Sequence, residues 1–170
     1  MEKSNQHIDS LVRLRKELHK HPEVSGTEIQ TAKRVLSFLE NYPPDELITR
    51  IGTTGIIAIY KGTKSGKTVL FRCELDALPI EESNTYKHRS VINGVSHKCG
   101  HDGHMAILCG LAAELHHNKP ESGTVFCYFS RLKKTAVVLK KYCWIPNLLC
   151  CNPITYLRCT IYQDFLYIKL

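Results

Sequence analysis

Eight consecutive residues, His97-Lys-Cys-Gly-His-Asp-Gly-His104, carry three imidazoles, a thiol and a carboxylate. Cys99 and His101 are separated by one glycine, which lets the backbone turn without a Cβ clash, so a thiolate and an imidazole can converge on one divalent ion. Nitrogen and sulfur donors of this kind suit zinc, and the same set can hold manganese, cobalt or nickel. Asp102 fits two roles, fixing an imidazole tautomer or capping the helix that follows, and spacing alone does not separate them. The bland alternative is a polar loop whose Cys and His merely pack. A second cluster is Arg72-Cys-Glu-Leu-Asp-Ala-Leu-Pro79, where an apolar strand runs into two carboxylates and then a proline. Alternation puts Glu74 and Asp76 on one face at the strand's C-terminal edge, where open α/β sheets build their sites. Taken alone, this run is equally a solvated strand end.

These clusters need elements to hold them. Ile8, Leu11, Val12, Leu14 and Leu18 recur near helical spacing until His21-Pro22. Ser25 with Glu28 is a capping-box signature for a second helix carrying Ile29, Ala32, Val35, Leu36 and Leu39, which Tyr42-Pro-Pro-Asp45 stops. Ile56–Tyr60 and Thr68–Cys73 are β-rich runs split by the turn residues Gly62, Ser65 and Gly66, which predicts an antiparallel pair. Met105, Leu108, Cys109, Leu111, Ala112 and Leu115 predict a third helix, with solvent-facing His116 and His117 at its end, and Gly123–Phe129 predicts another strand. The class is α/β.

The chain has 170 residues and a formal charge of +7, yet that charge is not spread evenly. Residues 1–129 hold 16 of 23 Lys and Arg and 15 of 16 Asp and Glu, together with every glycine and every histidine. The last 41 residues contain neither Gly nor Glu, a departure from ordinary globular usage. Their basic residues form only small pairs, Lys133-Lys134 and Lys140-Lys141, which argues against a nucleic-acid-binding arm. No window is apolar enough to span a membrane, and the first residues lack a secretory signal's apolar stretch, so the default expectation is a cytoplasmic protein whose eight cysteines are thiols or ligands.

The runs His19-Lys-His-Pro-Glu-Val-Ser25, Gly52-Thr-Thr-Gly55, Arg72–Pro79 and Gly94–His104, in this order, resemble the metal-dependent amidohydrolases of the hippurate hydrolase, N-acyl-amino-acid hydrolase and indole-acetyl-amino-acid hydrolase family. The resemblance implies the N-terminal third of a zinc-peptidase-like catalytic domain, a mixed sheet with helices on both faces, left incomplete here. It implies a two-ion site in which Cys99 bridges the metals, His101 binds one of them, and Asp76 is the carboxylate that orients a ligand. Glu74 and Leu75 depart mildly from the family's usual Asp and Met. The implied reaction is metal-assisted hydrolysis of the amide of a small N-acyl amino acid, with a glutamate as general base. The family's inserted domain, used for dimerisation and closure over substrate, has no match in this chain.

That glutamate is missing. In the family, the strand matching Gly123–Phe129 runs into Gln-Pro-Ala-Glu-Glu, whereas this chain reads Ser130-Arg-Leu-Lys-Lys134. Back-translating Phe129–Pro146 and restoring one T ahead of it gives Phe-Gln-Pro-Ala-Glu-Glu-Asn-Gly-Ser-Gly-Ala-Glu-Lys-Val-Leu-Leu-Asp-Pro, with third bases chosen freely and most first and second bases dictated. The expectation is therefore residues 1–129 as a partial catalytic domain and residues 130–170 as out-of-frame translation. A chain without the base and with only Cys99 and His101 of five family ligands should be inactive, filling any metal's shell with water or with Cys143, Cys150, Cys151 or Cys159. A sheet so shortened predicts an unpaired edge, which a tail interrupted by Pro146 and Pro153 is not expected to cover, and hence a marginal or aggregating fold.

Overall fold

The computed structural model describes residues 2–131, 160–162 and 165–169. They form α1 (Glu2–Lys20), α2 (Ile29–Leu39), β1 (Glu46–Ile51), β2 (Gly55–Lys61), β3 (Lys64–Glu74), α3 (His101–His117), β4 (Ser122–Ser130), β5 (Thr160–Tyr162) and β6 (Phe165–Lys169). The strands make one mixed sheet in the order β1-β2-β4-β3-β6-β5. β4 and β6 run parallel to β3, and the other pairs are antiparallel.

The expected pairing of Ile56–Tyr60 with Thr68–Cys73 does not occur, because β4 lies between β2 and β3. Only Gly62 and Thr63 separate those two strands in the chain, so the connection crosses the start of β4 instead of closing a hairpin. The crossing is close enough to exclude side chains. A Cβ on Gly62 would lie 2.8 Å from the Pro120 oxygen, and one on Gly123, at φ +79°, would lie 2.1 Å from the Lys67 oxygen. Gly62 and Gly66, which read as hairpin punctuation, are thus there for backbone against backbone. β4 earns its interior place by composition, with Phe126–Phe129 all buried.

The helices pack on one face of this sheet. Leu18 of α1, Val35 and Leu39 of α2, and Met105, Leu108 and Ala112 of α3 join Ile56, Tyr60, Cys73 and Phe129 in one core. Truncating a fully buried leucine here to Ala costs about 3 kcal/mol. The opposite face buries Ile57, Ile59, Leu70, Phe126 and Tyr128. The apolar stripes are narrower than their sequence suggests, since Ile8, Val12 and Ile29 stay exposed.

Two further expectations are corrected. The start of α2 is not a capping box: the Glu23 carboxylate accepts from Thr31 N at 2.7 Å and Gln30 N at 3.2 Å, while Glu28 is buried and accepts from the Thr54 hydroxyl at 3.3 Å. Nor is the outer edge of β3 unpaired, for β6 lies along it from Thr68↔Phe165 to Arg72↔Lys169. Pro146 and Pro153 both precede the strands, whose residues Thr160-Ile-Tyr162 and Phe165-Leu-Tyr-Ile168 are β-branched or aromatic or leucine. A parallel return also comes by a long connection and needs no tight glycine turn at its entry. β1 had no counterpart in the sequence reading; it is mostly exposed and lacks a continuous apolar face.

Candidate metal centre

The centre is assembled where β3 ends and α3 begins. Gly100, at φ +79°, is the residue that turns the chain into α3, and no side chain caps the helix. That conformation is the turn expected between Cys99 and His101. His101 Nδ1 lies 2.7 Å from the Asp76 carbonyl oxygen and 3.2 Å from its Oδ1. A ring nitrogen facing a carbonyl is the donor, which leaves Nε2 to act as a ligand. Nε2 points toward Glu74, 4.0 Å from Oε2.

Glu74, His101 and His104 each offer a ligand atom, and these atoms lie within 4.8 Å of one another. The Glu74 carboxylate is 1% exposed and pairs with Arg72 Nη1 at 3.0 Å, while Arg72 Nη2 donates to Ser130 Oγ at 2.9 Å. So Glu74 and Asp76 are not a solvated strand end; they flank one imidazole. Cys99 is half-buried beside His101 and His97. Burial opposes its thiolate, but hydrogen bonds from His101 and His97 outweigh burial and bring the pKa down to about 6. Burial likewise opposes a charged His101, and Asp76 and the Cys99 thiolate push that pKa up to about 10. His97 is 4% exposed, and among the described residues its ring has no hydrogen-bond partner beyond the Cys99 thiol.

The donor set fits a divalent metal. One thiolate, one imidazole with its far nitrogen already held, a buried carboxylate and a second imidazole are the mixed ligands that zinc or a neighbouring transition metal takes. Cys143, Cys150, Cys151 and Cys159, the expected supplementary thiols, lie outside the described residues. His117 is exposed as expected, while His116, partly covered, reaches the Pro43 carbonyl at 3.1 Å.

Asp102 does not cap α3, and the imidazole that it holds belongs to His19, far away in the sequence. Asp102 sits inside the first turn of α3, favourable for the helix dipole, and its Oδ2 meets His19 Nδ1 at 2.7 Å and Arg15 Nε at 2.8 Å. The far side of His19 meets Glu82 Oε1 at 3.0 Å and the Tyr86 hydroxyl at 3.1 Å. Glu82 also accepts from Ser90 N, Tyr86 Oη and Asn84 Nδ2, bonds that hold its carboxyl well below the usual range against the effect of burial. Arg15, Glu82 and Tyr86 were not among the residues that the sequence singled out. The only sequence signal was His19 itself, inside its His-x-His-Pro-Glu run.

Residues 70–130, which contain Glu74, Asp76, His97, Cys99, His101 and His104, match the model of Peptidase family M20/M25/M40. Its backbone superposes on the Bacillus subtilis YXEP protein, a dinuclear metal binding peptidase of the M20 family, with a TM-score of 0.75 and 32% identity, over 83% of this chain and 41% of that one. In sequence it is 36% identical to the N-acetylcysteine deacetylase of Bacillus subtilis over 132 residues, which is 77% of this chain and 35% of that protein. It is 44% identical to the N-acyl-L-amino acid amidohydrolase of Geobacillus stearothermophilus over 98 residues, or 58% of this chain and 26% of that one. The chain thus spans about a third of the length of the curated relatives it matches. No helix among the described residues is long and apolar enough to cross a membrane.

Proposed function

We propose that this chain carries part of the metal site of an amidohydrolase that cleaves the amide of small N-acyl amino acids, and that as a 170-residue product it is inactive. The observation that carries the reading is the convergence of Glu74, His101 and His104 at one sheet edge, with Cys99 beside His101 and Asp76 holding His101 by its other nitrogen. Cys99 and His101 would hold a divalent ion, with Glu74 and His104 as further donors. When bound, such ions supply Lewis-acid polarisation of an acyl carbonyl and activation of water. The chain's own part is narrower. Asp76 holds His101 by Nδ1 and so aims Nε2 into the site, where a bound ion would take the place of the second ring proton, and Arg72 balances the charge of Glu74. Among the described residues no further carboxylate faces this cluster as a general base, and hydrolysis needs one.

The names of the relatives, a deacetylase of N-acetylcysteine and an amidohydrolase of N-acyl-L-amino acids, support the substrate class. Residues 130–170 are read as translation out of frame, on the grounds of their missing Gly and Glu and of the family continuation recovered by restoring one base. In this reading small N-acyl amino acids, rather than nucleic acids or membranes, are the partners, and the location is cytoplasmic.

Calorimetry with zinc, manganese, cobalt or nickel at neutral pH tests the site. The expected result is binding that is abolished when Cys99 and His101 are both replaced by Ala; tight binding that survives the double substitution overturns the placement. Turnover of hippurate or N-acetylcysteine by the 170-residue chain would overturn the inactivity. Genomic sequencing across codons 125–150 decides the tail: a missing base before codon 130 supports the out-of-frame reading, and an in-frame junction refutes it.

A further inference from the structure

His19 is 5% exposed and stands where three stretches of chain meet. It belongs to α1; Asp102, on one side of its ring, belongs to the first turn of α3; Glu82 and Tyr86, on the other, belong to the segment between β3 and α3. That segment, residues 79–97, contains no helix or strand of its own. Its ends are brought together by a bridge between Leu78 and Ser96, and Glu82 gathers its middle by accepting from Ser90 N at 2.6 Å, Tyr86 Oη at 2.7 Å and Asn84 Nδ2 at 2.9 Å. The segment delivers His97 and, two residues on, Cys99. Asp102 directly follows His101. One ring therefore touches both arms on which the metal ligands are mounted, while touching none of the ligands.

Attachment of α1 does not require this ring. Leu18 is fully buried in the main core, Leu14 packs against it, and Leu11 lies against the backbone of α3 at Gly110, with its Cδ1 3.0 Å from where a Cβ would be. A purely structural histidine would be expected to share that packing; His19 instead has each ring nitrogen committed to a carboxylate from a different segment.

We propose that His19 is a positioning residue of the metal centre: by joining Asp102 to Glu82 it holds residues 79–97 and the first turn of α3 in the single arrangement that brings Cys99 to His101 and Glu74. The inference rests on the metal-site reading above for its purpose, but the joint itself exists without metal. Partners that hold a metal ligand directly are worth about 10- to 100-fold in metal affinity, and His19, which acts through Asp102 and Glu82, belongs at the lower end of that range.

Two measurements on the 170-residue chain test it, with His19→Phe, Glu82→Gln and, as a control in the same segment, Glu81→Gln, whose carboxylate reaches Gly94 N and not His19. In metal-free protein, hydrogen exchange of His19→Phe should be at least tenfold faster across residues 79–97 and unchanged in β2 and α2, and Glu82→Gln should act in the same direction. In cobalt titrations followed by the visible spectrum, both variants should bind about 10-fold more weakly than the parent with an altered band pattern, and Glu81→Gln should match the parent. Unchanged exchange at 79–97 in both variants overturns the proposal, as does acceleration spread evenly over the whole chain, which would make His19 an ordinary stabiliser. If the parent chain takes up no cobalt, the metal-site reading fails, and the exchange data still decide whether His19 joins the two arms.

Discussion

Cys99 is, among the described cysteines, the one that reagents can attack. Cys73, Cys109 and Cys127 are buried, and burial raises their thiol pKa values, to about 12 for Cys127, so they stay protonated at neutral pH. Cys99 has a pKa near 6 and is half-exposed. Its depressed value means that the thiolate is present above pH 6 and lost below it. In metal-free protein at pH 7.5, iodoacetamide should therefore label Cys99 while sparing those three, and the rate should fall as pH drops through 6; equal labelling of Cys127 in folded protein would contradict the geometry. His101→Gln removes the strongest hydrogen bond to the thiolate, so labelling at pH 7 should slow several-fold, the loss of thiolate being partly offset by its greater nucleophilicity. The site was legible in sequence where it is local: Cys99, Gly100 and His101 announce their convergence by spacing. What lies 83 positions apart, His19 against Asp102, left no such mark, because a buried polar contact between distant segments has no period to recognise.

At the scale of elements, periodicity located the three described helices and three of the described strands, since each buries a face against the same core. Their ends and neighbours were less readable. The helix start assigned to Ser25 and Glu28 belongs to Glu23, a residue too far upstream for the usual cap spacing. Glu23→Ala should accordingly cost about 1 kcal/mol in urea unfolding, and Ser25→Ala nearly nothing; the reverse order would restore the capping box. Neighbour relations in the sheet failed for a related reason: two strands joined by two residues imply a hairpin unless something farther along the chain competes for the same edge, and β4 does. Gly123→Ala should be severely destabilising, with about 1–2 kcal/mol from its left-handed conformation alone and more from the clash with the Lys67 carbonyl. A thermal midpoint within 2–3 degrees of the parent's, roughly the shift of under 1 kcal/mol, would show that this crossing is looser than described.

For the whole molecule, the sheet ends on one side at β1 and on the other at β5, a strand of three residues. β6 is what separates the long edge of β3 from solvent. Unpaired edges of that kind recruit other chains. Ending the chain after Arg131 should therefore raise light scattering at a given concentration relative to the 170-residue form; a shortened chain that stays monomeric would show that β6 contributes no protection.

The passage of the β2–β3 connection across the head of β4 also has a temporal side. During synthesis β2 and β3 leave the ribosome together, about sixty residues before the strand that must lie between them is complete. For that interval they are free to zip onto each other as the short-range hairpin their sequence resembles, and β-hairpins form in microseconds, far faster than translation adds residues. The native sheet then requires that early partnership to be dissolved before β4 can be admitted. Refolding should show a slow phase that disappears when β2 and β3 are kept from meeting prematurely, which makes the order of arrival of the strands, and not only their final places, part of what this sequence has to encode.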